Sequence, residues 1–445
     1  MLEVLTHPAY AKLFAAQAIA LVGTGLLTIA LGLLAYDLAG DRAGAVLGTA
    51  LAIKMIAYVG IAPLANAITE KLPRKAVLIG ADLVRASVAL FLPFIDAIWQ
   101  IYVLIFVLQA ASAAFTPAFQ AVIPDILEDE TEYTKALSLS RLAYDLENLI
   151  SPALAGLLLL VMGYHWLFGG TVAGFLGSAA LVWLTILPAR KPPAKARGFL
   201  DRLTRGGRIY LATPRLRGLL SLNLAAAAAG AFVIVNTVVI VRSGYAASEA
   251  EVATALAAFG AGSMVAALAL PRLLEQVSDR RVMVLAAILL ALLTLGHAIW
   301  WLSSGLPGWS AFLTAWAASG ILYSTVLTPS GRLLRRSAHA EDRPAVFAAQ
   351  FALSHACWLV TYPVAGWVGE TFGLPVAMLL LGCIALVGVT VAVRVWPKGD
   401  PQEVEHEHPD LPFDHPHLQT ATGKDCRHRH VFIIDDEHRA WPAQG

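Results

Sequence analysis

Two groups of residues in this chain have the types and spacing to do chemistry: ionisable side chains set inside long apolar runs, and histidines crowded beyond Pro397. The first group comprises Lys54, Asp82 with Arg85, Arg141, Asp145, Glu147 and His355. A charge at the centre of a bilayer costs about 3 kcal/mol even on insertion scales, so it faces a partner or a cavity. Helical spacing sorts these candidates. Arg141 and Asp145 lie four apart on one face, with Asn148 continuing it, and can neutralise each other. Asp82 and Arg85 lie three apart and read the same way. Glu147 falls on another face with Tyr144 and Ser151 and has no base at helical spacing. That makes it the leading candidate for a carboxylate that carries a proton or a metal ion, with Asp145 beside it at similar depth. His355 adds an imidazole, and imidazole with carboxylate oxygen suits Ni²⁺ or Co²⁺; a hydrogen-bonded packing role is the commoner one for a lone histidine in a helix. Lys54 fits two roles, a charge that a bound cation displaces or a partner for an acid across a domain interface. Cys357, two residues beyond His355, points elsewhere and reads as a packing residue.

The second group is the tail. Residues 398–445 hold seven of the chain's twelve histidines, interspersed with Glu403, Glu405, Glu407, Asp410 and Asp414. There are three His-x-His pairs, His406/His408, His415/His417 and His428/His430, with Cys426 just before the last and His438 after it. Short His-rich tracts bind metal, and an extended His-x-His puts both rings on one side of the chain. These eight residues are therefore the candidate metal ligands; the alternative is a solvated tail whose histidines bind nothing. The apolar stretch Val431 to Ile434 and Trp441-Pro442 favour docking on a protein face over a fully solvated end.

The elements that must position these groups follow from composition. Of 445 residues, 58% are hydrophobic and only 14% charged, against about 25% charged in soluble domains. Runs of roughly 20 apolar residues, each enough to cross the bilayer as a helix, recur up to position 396. They predict spans near 10–36, 43–67, 75–96, 99–120, 137–161, 164–188, 216–241, 250–274, 281–303, 307–329, 345–369 and 374–396. Lys and Arg collect in alternate loops, at 71–75, 190–217, 272–281 and 332–343, which puts both termini in the cytoplasm. The polar break 189–215 divides the spans into two sets of six and includes a basic stretch, Phe199 to Leu211, expected as a helix on the membrane surface. The halves echo each other: Thr116-Pro117 leads to Ser151-Pro152-Ala153, and about 211 residues later Thr328-Pro329 leads to Tyr362-Pro363-Val364. Repeats of this kind place a transport site near the midplane between the halves. The expected organisation is an all-α membrane protein: a six-helix bundle over 1–188, a basic linker over 189–215, a second bundle over 216–396 and a His-rich cytoplasmic tail over 397–445. Three cysteines without a CxxC pair exclude a disulfide framework, and no phosphate-binding loop or catalytic motif marks an enzyme or a cofactor.

Between the second and third spans, Asn66 to Lys75 resembles the loop signature of the major facilitator superfamily, with Glu70 for its acid, Lys71 for its first base, and Arg74 and Lys75 for its basic pair. Asn66 and Pro73 replace the usual glycines. Glu275 through Arg280 and Arg281 form a looser copy. The resemblance implies a twelve-helix carrier in which these residues, with Asp82, Arg85 and Arg141, make a charge-paired cytoplasmic gate. Three further phrases, Gly48 to Tyr58, Leu139 to Glu147 and Ala352 to Trp358, together with the histidine-bearing tail, resemble the nickel-resistance permeases. That likeness implies export of nickel, with cobalt as a second ion, from the cytoplasm across a bacterial inner membrane, driven by proton entry. The metal ion and protons are then the partners, with no nucleic acid, and a monomer is expected. Two other readings stand beside it: a drug, macrolide or siderophore exporter of the same fold with an incidental tail, and a membrane metal sensor. An aromatic, apolar central cavity points to the drug exporter; converging His, Asp or Glu points to metal.

Overall fold

A computed structural model describes residues 2–61, 72–127, 154–187, 199–339, 342–399, 403–407, 428–435, 437–438 and 440–442, with scattered positions between 129 and 151. The apolar runs are helices because a backbone deprived of water must close its own hydrogen-bond ladder. In chain order they are α1 (Pro8–Ala39), α2 (Ala43–Ile56), α3 (Arg74–Phe91), α4 (Ile98–Ile126), α5 (His165–Trp183), α6 (Phe199–Ala212), α7 (Pro214–Val239), α8 (Glu249–Gln276), α9 (Asp279–Ser304), α10 (Trp309–Leu327), α11 (Ser330–Arg336), α12 (Arg343–Pro363), α13 (Gly369–Phe372) and α14 (Leu374–Val395). Among the described residues ten stretches are long and apolar enough to cross a membrane. The first of them, Pro8–Gly60, is two helices, since α1 stops at Gly40. There φ is +57°, a backbone that glycine adopts without a Cβ clash, and the chain turns back into α2. The expected span at 137–161 lies mostly outside the described residues.

Local signals set the other ends. Pro opens α1, α7, α12 and α14, where its missing N–H costs nothing. Ser248 and Glu251 form a reciprocal capping box at the start of α8, the Ser248 N–H donating to Glu251 Oε2 at 2.6 Å. Pro363 removes a ladder bond from α12, and the helix continues through the π-helical turn Val364–Val368. Large apolar side chains such as Trp166, Trp183, Ile186 and Leu268 remain exposed on the outer surface, as helices facing lipid require.

The packing repeats. α1 packs on α5 as α7 packs on α14, α3 on α5 as α9 on α14, α3 on α4 as α9 on α10, and α2 on α4 as α8 on α10. Among the described residues the halves meet chiefly where α2 lies along α12 and its π turn, with α7 alongside. The expected basic helix forms as α6, and it is fastened to protein: Arg205 makes a two-pronged contact with Asp342 at 2.5 and 2.8 Å, both buried, and Tyr210 Oη donates to Gln350 of α12. Beyond α14 the tail forms two antiparallel strands, β1 (Glu403–His406) and β2 (His428–Val431).

Candidate functional site

The contact between the halves begins at the end of the bundle opposite the basic loops. Arg42, in the turn after α1, pairs with Glu370 of α13, and Ser243 after α7 donates to Asp41. One turn further in, helix backbones touch: a Cβ on Gly48 would stand 2.7 Å from the Tyr362 carbonyl and 3.3 Å from Gly366 Cα. Asn236 of α7 is fully buried, donates to the Ala365 carbonyl at 3.0 Å and abuts Gly44. Deeper still, Lys54 of α2 and Tyr58, in the π-helical turn Ala57–Ile61 that continues it, face α12. The Lys54 ammonium lies 5.6 Å from the centre of the Tyr58 ring, which meets His355 edge-on at 5.2 Å and Phe351 at 5.6 Å. His355 donates Nδ1–H to the Phe351 carbonyl at 2.6 Å, and its ring leans on the Phe351 ring at 4.0 Å and 38°. Beside this cluster the second half contributes more rings, with Phe259 at 5.5 Å from Tyr323, Tyr323 at 6.3 Å from Trp358, and Trp358 at 5.0 Å from Tyr362. The described central contact is thus aromatic, with one ammonium and one imidazole. Such a surface can stack flat or apolar groups and place a polar one.

Asp82 and Arg85 do neutralise each other, and they do so inside the first half. Asp82 is 0% exposed and accepts from Arg85 and, at 2.7 Å, from Ser178 Oγ of α5. The Arg85 guanidinium is held between Phe115 of α4 and Phe175 of α5, 4.3 and 4.6 Å from the ring centres. Four of the described residues of the two loop signatures, Arg74, Lys75, Asp279 and Arg280, also bond within their own halves. Arg74 bonds Asp125 at the far end of α4; its counterpart Asp279 faces Arg332 at 3.5 Å and Arg336 at 4.0 Å, with the signs reversed. Lys75 donates to the Thr185 carbonyl at 3.0 Å, beyond the end of α5, and Arg280 to the Trp396 carbonyl at 3.0 Å, beyond the end of α14. In both halves a base at the head of a helix (α3, α9) thus satisfies a carbonyl just beyond the end of the helix packed on it (α5, α14). Glu275 is exposed near the end of α8, and Arg281 is exposed in the first turn of α9.

The tail returns to the face that carries the basic loops. Phe432 and Ile434 are 2% and 3% exposed within the main core, and the Trp441 ring lies 5.3 Å from the guanidinium of Arg215 in α7. Asp435 accepts from the His438 ring at 2.9 Å and lies 3.3 Å from His339, in the loop between α11 and α12. Burial pushes the Asp435 carboxyl up. Hydrogen bonds from the His438 ring and backbone and from the Glu437 N–H outweigh that, and its pKa lies below the ordinary value. Docking of the Val431 to Trp441 stretch, expected from its apolar content, is what the structure shows.

Several sequence candidates lie outside the described residues: Glu70, Lys71, Arg141, Asp145, Glu147, His408, His415, His417 and Cys426. His406 and His428 are described in their backbone only. Of the rest, the structure brings together Lys54 and His355 through Tyr58, Asp82 with Arg85, and His430 with His438, whose ring centres are 5.1 Å apart. Cys357 is buried, as a packing residue should be. Among the described residues no group of three or more His, Cys, Asp or Glu is arranged to hold a metal ion. The reading of the sequence missed Tyr58, Phe351, Tyr323, Trp358 and Tyr362. Their signal was available, since Phe351/His355 and Trp358/Tyr362 are four apart and share helix faces with each other.

Two packed repeats of membrane-length helices that meet along α2 and α12 are the architecture of a polytopic membrane protein. The Major Facilitator Superfamily model matches residues 13–243 and 219–434, and the chain belongs to that superfamily. It is 23% identical over 335 residues, 74% of this chain and 79% of the other, to the MFS-type transporter YfiS of Bacillus subtilis (strain 168). It is 26% identical over 185 residues to Macrolide efflux protein A of Streptococcus pyogenes, covering 40% of this chain and 44% of that protein. Among solved structures, a mutant of the nucleoside transporter NupG superposes with a TM-score of 0.65 at 15% identity, covering 87% of this chain and 100% of that one. The POT family transporter PepTSo superposes at 0.67 with 12% identity, covering 87% and 97%. These structural likenesses carry the fold; the chain is a multi-pass membrane transporter.

Proposed function

We propose that this carrier exports a divalent first-row metal ion, nickel or cobalt, from the cytoplasm in exchange for protons. The observation that supports this reading best is the tail. Its described end, which could have remained solvated, instead docks on the basic-loop face, cytoplasmic by the charge bias, with His430 beside His438 and Asp435, the partner of His438, against His339 of the α11–α12 loop. Histidines there raise the local concentration of the ion beside the carrier. The ion would then pass between the halves by alternating access, with His355 and Lys54 at the central contact and Glu147 and Asp145 as the carboxylates for ion or proton. A second reading has its own support. The aromatic cluster of Tyr58, Phe351, Tyr323 and Trp358 suits an amphipathic organic compound, and one relative is a macrolide efflux protein.

Everted membrane vesicles holding a metal-sensitive dye and given a proton gradient separate the two readings. Metal export predicts gradient-driven Ni²⁺ or Co²⁺ uptake that falls at least tenfold in Glu147→Gln and in His355→Ala and survives, at reduced apparent affinity, in a chain ending at Pro397. Folded wild type that moves neither ion but does move a macrolide would replace this reading with the second.

A further inference from the structure

The register of the tail ribbon sets which of its positions share a face. His406 stands opposite His428, and Val404 opposite His430. Opposed residues share a face and every second residue returns to it, so these four positions lie on one face of the ribbon. The other face carries Glu403, Glu405, Arg429 and Val431, and there Arg429 pairs with Glu403 at 3.3 Å with both side chains well exposed. The histidine face is the one turned to the protein: Val404 packs against the main core, and the His430 ring lies 5.1 Å from that of His438, which is 4% exposed.

Both of these rings are oriented from behind. His430 donates Nδ1–H to the Val431 carbonyl at 2.8 Å, and His438 donates Nδ1–H to Asp435 at 2.9 Å. An imidazole that gives Nδ1–H to an oxygen carries its lone pair on Nε2, and this is how carboxylates and carbonyls prepare metal-binding histidines. The second oxygen of Asp435 reaches His339 in the α11–α12 loop.

We propose that the docked ribbon binds one divalent cation of the imidazole-preferring class, Ni²⁺, Co²⁺ or Zn²⁺, with His430 and His438 as its protein ligands. Asp435 then reports its occupancy to the α11–α12 loop through His339. This deepens the export reading and rests on it only for the biological role of the ion. Since no three ligand groups converge on one point among the described residues, the ion must draw the rings together. That movement displaces Asp435 and with it the contact to the loop.

Hydrogen–deuterium exchange of the full-length protein in nanodiscs, with and without NiCl₂, tests this. In wild type Ni²⁺ should slow exchange over 403–407 and 428–438 and change it over 332–343, whereas Mg²⁺ should do neither. His430→Ala with His438→Ala should raise the Ni²⁺ midpoint of the tail effect about 100-fold. Asp435→Asn, which removes an orienting carboxylate, should raise it by about 10–100-fold. His339→Ala should keep the tail effect and lose the loop effect. If the alanine pair has already undocked the tail without metal, the bulkier pair His430→Gln with His438→Gln takes its place. An unchanged midpoint in the docked double variant overturns the site, and a silent loop in wild type overturns the link to His339. Vesicle flux is scored apart: protection without Ni²⁺ flux keeps the site and removes the export reading, and flux without protection does the reverse.

Discussion

Asp82 shows what a charge inside a membrane helix needs in order to persist. Its carboxylate has no exposed surface, and it is matched by an arginine one turn away, a serine from α5 and two aromatic faces that cover the guanidinium. Removing one member of such a pair leaves the other buried and uncompensated, at a cost of about 3–5 kcal/mol, whereas replacing both by apolar groups is often neutral. Asp82→Ala should therefore lower the thermal unfolding midpoint of the purified protein sharply, and adding Arg85→Met should restore most of it. Restored stability without restored transport would assign the pair a further role in the transport cycle; recovery of both would make it structural. The sequence disclosed this pair because both partners lie on one helix turn. It did not disclose Ser178, Phe115 or Phe175, which come from helices 30 or more positions away, and spacing along one helix carries no information about them.

At the scale of elements, the most constrained contact is the crossing of α2 and α12. A side chain at Gly48 would collide with the Tyr362 carbonyl, so the halves can close at this end only while that position stays bare. Overpacking costs about 1–3 kcal/mol, which corresponds to a five- to roughly 150-fold shift between two states. Gly48→Val should open this end: with native cysteines replaced, disulfide cross-linking between Cys introduced at Asp41 and Ser243 should fall by at least about fivefold. Equal cross-linking would show that this crossing does not limit closure. The linker helix α6 yields a second prediction. Arg205→Leu leaves Asp342 buried beside an apolar side chain, so α6 should release from α12 and exchange its amides at least tenfold faster; unaltered exchange would mean that Tyr210 and Gln350 hold it alone. Helix limits were largely legible, because bilayer length, Pro and Gly write them locally. The docking of α6 on α12 was not, because a basic amphipathic pattern reads the same whether its partner is lipid or a buried aspartate.

For the whole molecule, the tail ties the end of the chain back to the second half, with Phe432 and Ile434 in the core, Trp441 over Arg215 and Asp435 beside His339. Histidine spacing alone made this segment a candidate for metal binding; that it would pair as a ribbon depends on residues about 25 positions apart and lies beyond local pattern. Its attachment has a defined acid sensitivity. The Asp435 carboxyl is held below its ordinary value of 3.8 by the hydrogen bonds that His438 and Glu437 donate to it, which outweigh its burial. A group whose pKa is depressed in the docked state stabilises that state fully above the ordinary value and loses its contribution as pH falls through the depressed one. Docking should therefore be insensitive to Asp435 from pH 7 down to about 5 and weaken progressively below about 4. A nitroxide at the exposed Ala440 reports this directly as spectral mobility. Wild type should hold an immobile spectrum until the pH drops below 4, while Asp435→Asn should be more mobile at pH 7 and flat through the acid range. Release of the wild-type tail between pH 7 and 5 would move the switch to another group and separate tail docking from the Asp435 contact.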